Sequence, residues 1–128
     1  MLKVEDLHHL SIPVVDAERS RQFYKSLLDL DEIERPDFDF PGVWFRLGNR
    51  QLHLIQHLGA KTLRGMHEID PRDGHLAVHV RSYRETREHL IRLGIPFLDR
   101  PVNPTPWPQI YITDPDGNVI ELNAAELD

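Results

Sequence analysis

Eight histidines and no cysteine stand in a chain of 128 residues. Imidazole is the side chain that titrates near neutral pH and is the commonest nitrogen ligand for metals, so the chemistry to look for is metal binding or acid–base work. Four residues have the spacing for it: His9, His53, His75 and Glu121. His9 precedes Asp16, a helix N-cap candidate, by seven residues, and His75 precedes Ser82, a second such cap, by the same seven. From His9 to His53 is 44 positions, and from His75 to Glu121 is 46. Glu121 lies in Val119-Ile120-Glu121-Leu122-Asn123, where Ile120 and Leu122 alternate with it. Successive side chains on a strand point to opposite faces. If Ile120 and Leu122 are in a core, Glu121 faces away from it. A mid-strand carboxylate among apolar neighbours needs a cationic partner or solvent.

The elements that must position these residues follow from periodicity. Leu7 to Val15 alternates, with Leu10, Ile12 and Val14 on one face and His9 and Ser11 on the other; Pro13 argues for a sheet edge. Asp16 caps a helix carrying Ser20, Phe23, Tyr24, Leu27 and Leu28 on one stripe. Glu32 to Arg35 reads as a short strand and Pro36 to Gly42 as a loop. Val43 to Leu47 and Gln51 to Gln56 read as a hairpin around Gly48-Asn49-Arg50. Leu58 to Asp73 is polar and reads as a linker.

The pattern then restarts. Leu76, Val78 and Val80 alternate with His75, Ala77 and His79. Ser82 and Glu85 have capping-box spacing before a helical stripe of Tyr83, Thr86, Leu90 and Leu93 that ends at Gly94. A short strand begins at Phe97, and the loop 101–108 is proline-rich and carries Trp107. A hairpin turning at Asp114-Pro115-Asp116-Gly117-Asn118 closes the chain. Each half therefore runs strand, helix, then three strands. The expected fold is α+β: paired βαβββ modules forming a cupped, barrel-like sheet with flanking helices. The modules are 1–57 and 74–128, joined by the linker 58–73. His9, His53, His75 and Glu121 are expected on the non-core faces, at equivalent points of the two modules.

Such a ligand set, nitrogen and oxygen without sulfur, suits one divalent ion: Zn, Ni, Mn, Co or Fe(II). Hairpin pairing adds neighbours. With Asn49 and Arg50 as the turn, His53 would face Arg46, a candidate for an anionic substrate group, and Ile55 would face Trp44 on the same side. A five-residue second turn would set Tyr111 opposite Glu121. His79 shares the face of His75 and is a candidate substrate contact, and Trp107 a candidate lid. His57 could extend the first row. His8 has the wrong parity, and His67 and His89 read as surface.

These residues resemble the vicinal oxygen chelate superfamily, which includes glyoxalase I, fosfomycin-resistance transferases, bleomycin-resistance proteins and extradiol dioxygenases. The resemblance is carried by His9 with Asp16 and Phe23-Tyr24-Lys25-Ser26-Leu27-Leu28, by Gly74-His75, and by Asp114 to Leu122. It implies metal ligation by His9, His75 and Glu121, and usually a homodimer. His53 stands where glyoxalase I has a glutamate, which argues against a straightforward glyoxalase I. Near Asp29 the family usually has glycine. The expected activity is a metal-dependent lyase or isomerase that chelates a small substrate through adjacent oxygens, with Glu121, His53 and Tyr111 as candidate catalytic groups. An Fe(II) extradiol-type dioxygenase and a metal-free binding protein are the alternatives.

Composition bounds the remaining classes. A net charge of −6 with no basic run makes nucleic acid a poor partner. At 40% hydrophobic and 28% charged residues, the chain reads as an ordinary globular protein. No apolar run has membrane-spanning length, and Met1 to Asp6 does not read as a signal peptide. The absence of cysteine fits a reducing compartment, so a cytoplasmic protein with a small-molecule substrate is expected.

Overall fold

The computed structural model describes residues 1–128, which form two compact units, Met1–Leu63 and Arg64–Asp128. The division falls inside the stretch read as a linker.

In the first unit the order is β1 (His9–Val14), α1 (Ala17–Ser26), β2 (Glu32–Ile33), β3 (Gly42–Leu47) and β4 (Arg50–Gln56). Its sheet runs β1-β4-β3-β2, with β1 parallel to β4 and the other pairs antiparallel. Pro13 is tolerated because β1 is an edge strand. The Asp16 carboxylate accepts from the Glu18 and Arg19 amides, and Gln56 Oε1 accepts from Ala17 N at 2.9 Å, so the start of α1 is tied to β4. Tyr24 from α1 is fully buried with Val14, Val43, Phe45, Leu52 and Leu54, the inward rows of β1, β3 and β4. After α1, Asp29 takes a φ of 53°, in the left-handed region that favours glycine.

The second unit repeats the topology: β5 (Leu76–His79), α2 (Tyr83–Leu93), β6 (Leu98–Arg100), β7 (Gln109–Thr113) and β8 (Val119–Asn123), with sheet order β5-β8-β7-β6. β5 pairs parallel with β8, as β1 does with β4. Ser82 Oγ accepts from Glu85 N at 3.1 Å. The C-terminal residue adds to this cap: Asp128 accepts from Ser82 Oγ and from Arg84 N. Leu90, Ile110, Ile112, Ile120 and Leu122 make the core.

The two hairpins differ in the way that sets the site. The first turns through two residues only, Gly48 and Asn49, with Gly48 at φ 60° and Leu47 paired with Arg50. Arg50 is thus part of β4, and the register is not the expected one. His53 faces Trp44, Arg46 faces Gln51, and Ile55 faces Gly42. The second hairpin has the five-residue turn Asp114–Asn118, so Tyr111 pairs with Glu121 as its spacing suggested. Asp114 Oδ1 accepts from the Asp116 and Asn118 amides and holds that turn.

The segment before β5 is not a loose tether. Arg64 donates to the Gly117 carbonyl at 2.6 Å, and His67 Nδ1 lies 2.8 Å from Thr113 Oγ1. A Cβ on Gly117 would stand 1.8 Å from the Met66 carbonyl oxygen, and its φ is 84°. Only glycine allows the strap to lie this close. No helix is long and apolar enough to cross a membrane.

Candidate functional site

Glu121 sits at the centre of β8, 6% exposed. Ala77 is its partner on β5. Four residues fill the space around the carboxylate. Tyr111 Oη donates to Oε1 at 2.7 Å and Gln109 Nε2 to the same oxygen at 3.3 Å. Asn123 Nδ2 donates to Oε2 at 2.7 Å. His75 Nε2 lies 3.4 Å from Oε1. Burial works against the Glu121 charge, but the hydrogen bonds from Asn123 and Tyr111 and the field of His75 outweigh it, and its pKa lies below the ordinary value. Burial, then the bond to Glu121, pushes the Tyr111 pKa up to about 12, so the phenol keeps its proton.

His75 lies just before β5. Its Nδ1 is 2.7 Å from the Asp73 carbonyl, an acceptor only, so Nδ1 carries the proton that is donated there. The Nε2 lone pair is left aimed at an anionic oxygen. Two acceptors facing each other across 3.4 Å call for a cation between them, a proton or a metal ion. An imidazole whose other nitrogen donates to a backbone carbonyl is also the usual arrangement around a bound metal. The donor chemistry of this corner fits a divalent ion, with His75 Nε2 and Glu121 Oε1 as two candidate donors.

In the first unit, His53 is 6% exposed and sits in a stack. Trp44 lies on one face, with centroids 3.9 Å apart and planes 2° from parallel. His9 lies on the other, at 4.2 Å and 20°. His53 Nε2–H donates to Gln51 Oε1 at 2.8 Å, which leaves Nδ1 as the acceptor. Burial, with the nearby positive character of His9, His8 and Arg35, lowers its pKa to about 4. It is therefore a neutral ring at neutral pH. His8 Nδ1 lies 2.8 Å from His9 Nδ1, which leaves the His9 Nε2 unengaged by that pair. His8 is thus drawn to the site despite its parity. The aromatic row continues through Phe38, whose ring centroid is 6.2 Å from that of Trp44, and Arg35 lies over the Phe38 and Phe40 rings.

Of the residues singled out by sequence, His9, His53 and Trp44 meet in the first unit, and His75, Tyr111 and Glu121 meet in the second. Arg46 is exposed and does not face His53. His79 reaches Asn123 Oδ1 at 2.8 Å. Trp107 is 40% exposed, its carbonyl tied to Asn103 and Thr105, and is not part of the cluster around Glu121. Within neither unit do three or more His, Cys, Asp or Glu side chains gather as a metal cluster. Gln109, Asn123 and Gln51 escaped sequence reading. Each stands two positions from a named residue on the same strand, so the period-two rule applied to polar side chains would have found them.

Residues 6–122 match the Glyoxalase/Bleomycin resistance protein/Dioxygenase superfamily. The chain belongs to that superfamily. It is 27% identical over 124 residues to Glyoxylase I 4 of Arabidopsis thaliana, covering 94% of this chain and 71% of that protein. A glyoxalase family protein from Bacillus anthracis is 25% identical with a TM-score of 0.77, covering 97% of this chain and 98% of that one. Two further structures share the fold at lower identity. A mutant of the fosfomycin resistance protein FosX from Listeria monocytogenes, complexed with Mn(II) and 1S,2S-dihydroxypropylphosphonic acid, has a TM-score of 0.76 at 20% identity, over 98% and 95% of the chains. Lactoylglutathione lyase from Agrobacterium tumefaciens has a TM-score of 0.70 at 19% identity, over 94% of each.

Proposed function

We propose that this protein is a divalent-metal-dependent enzyme that binds a small substrate through two adjacent oxygens and performs lyase or isomerase chemistry on it. The observation that carries this reading is the His75–Glu121 pair: an imidazole with its tautomer held by a carbonyl, aimed at a buried, hydrogen-bonded carboxylate. His75 and Glu121 supply two donors, and His9 and His53 are the further imidazoles that the spacing of the sequence puts forward as ligands. A bound divalent ion supplies Lewis acidity, stabilising negative charge that develops on substrate oxygens.

The protein's own groups have definable tasks. Tyr111 and Asn123 hold one carboxylate oxygen each and keep Glu121 from turning away. The raised pKa of Tyr111 leaves a neutral phenol, so Glu121 is the charged base candidate of this cluster. Arg46, exposed two residues along β3 from Trp44, is suited to an anionic substituent of the substrate. We assign the working form to a homodimer, as the family resemblance implies.

The test combines a melting assay with an activity screen. Added Ni, Zn, Mn or Fe(II) should raise the melting temperature, and the metal-loaded protein should turn over an α-hydroxy carbonyl substrate without consuming oxygen. Oxygen uptake with catechols would assign an extradiol-type dioxygenase instead. No response to any metal, with tight binding of planar small molecules, would favour a metal-free binding protein; the Trp44–His53–His9 stack is the feature that reading would use.

A further inference from the structure

His79 is exposed at the end of β5, and its ring Nδ1 lies 2.8 Å from Asn123 Oδ1. The two residues face each other in register across the parallel pair of β5 and β8. Asn123 in turn donates Nδ2 to Glu121 Oε2 at 2.7 Å. On the Oε1 side Glu121 has Tyr111, Gln109 and His75; on the Oε2 side Asn123 is the donor.

We propose that His79 is a positioning residue for Glu121: its Nδ1–H fixes the Asn123 amide, and that amide fixes the carboxylate. This rests on the reading of Glu121 as a metal ligand. An amide can present either end to a neighbour. Turned over, Asn123 would set its carbonyl oxygen against Glu121 Oε2, two acceptors facing each other, so the carboxylate fixes which end of the amide it meets. With the amide so directed, Oδ1 faces His79 Nδ1 and calls for the proton there, and that bond holds the amide plane in place. With Oε2 held by Asn123, Oε1 is the oxygen presented towards His75 Nε2. His75, just before β5, and His79, at its end, thus divide the work. His75, locked by Asp73, faces the carboxylate directly. His79 acts on it through one intervening side chain. Partners at this remove from a metal commonly change its affinity ten- to a hundredfold, roughly.

The test uses the full chain and three variants: His79→Ala, His79→Asn and Asn123→Ala. The Asn nitrogen of His79→Asn stands at the same point along the side chain as His Nδ1, so that variant keeps the donor. NMR of the metal-free protein reads the contact itself. The Asn123 side-chain amide should be protected from exchange in the parent, exchange several-fold faster in His79→Ala, and be protected again in His79→Asn. The His79 ring should carry its proton on Nδ1, and lose that preference in Asn123→Ala. Calorimetric titration with Ni(II) alone should show a roughly tenfold loss of affinity in His79→Ala and recovery in His79→Asn. The metal-free melting temperature should hold across both His79 variants, because the ring is exposed. An Asn123 amide indifferent to His79→Ala, or a His79 proton on Nε2, overturns the proposal. So does Ni(II) affinity in His79→Ala equal to that of the parent. If the parent itself takes up no Ni(II), the metal reading fails, and the NMR result still decides whether His79 holds Asn123 and Glu121.

Discussion

Removing one hydroxyl group tests how the candidate site is held. Tyr111→Phe keeps the ring, so the packing of a residue only 3% exposed is preserved and no cavity opens. What is lost is the 2.7 Å bond from Oη to Glu121 Oε1. Hydrogen bonds to charged groups are worth about 1.5–3 kcal/mol when buried. Gln109 at 3.3 Å and His75 at 3.4 Å remain near Oε1 and soften the loss. The expected destabilisation is therefore about 1.5–2 kcal/mol. With an unfolding entropy of about 2.1 cal/mol/K per residue, a chain of this length should lose about 5–8 °C in melting temperature. The assay is calorimetric or circular-dichroism melting at neutral pH with chelator present. Repeating the substitution in a Glu121→Gln background isolates the charge. The acceptor stays neutral there, so Tyr111→Phe should cost about half as much. A shift of less than about 1 °C in the parent background, or equal costs in both, would refute the claim that Tyr111 supports an ionised Glu121.

Other perturbations have outcomes set by the same structure. His53 is held neutral, with its pKa lowered to about 4 from 6.5. A lowered pKa means stability that is full above 6.5 and is lost as pH falls from 6.5 towards 4, by up to about 3 kcal/mol in metal-free protein. His53→Phe keeps a ring in the stack and should flatten that part of the stability–pH curve; a curve parallel to the parent's would contradict the assignment. Gly117→Ala would place a Cβ into the Met66 carbonyl at a positive φ. It should cost about 2 kcal/mol or more and speed proteolysis between Ala60 and Asp73. Unchanged melting and cleavage would mean that the strap is not anchored there.

Much of this was legible in the order of residues, for identifiable reasons. The repeated distance from histidine to helix cap exposed the duplication, and both helices begin at the caps read from sequence. The turn Asp114–Asn118 has strong local chemistry, so its length and the pairing of Tyr111 with Glu121 followed. The first hairpin was harder. Gly48-Asn49-Arg50 admits two turn placements, Asn49-Arg50 and Gly48-Asn49, and the second shifts every partner along β3. Trp44 rather than Arg46 therefore meets His53. A ring stack is a tertiary contact between strands and leaves no periodic trace. Likewise nothing local announces that Gly117 receives a backbone from the segment around Met66. The hydrogen bonds to Asp73 and Gln51 that set the His75 and His53 tautomers are also visible only in three dimensions.

The central claim is that His75 and Glu121 hold a divalent ion, and elemental analysis of protein purified without chelator tests it most directly. The parent should carry about one divalent ion per chain, while His75→Ala and Glu121→Ala, still folded, should each carry far less. A metal-free parent, or equal metal in the parent and both variants, would contradict it.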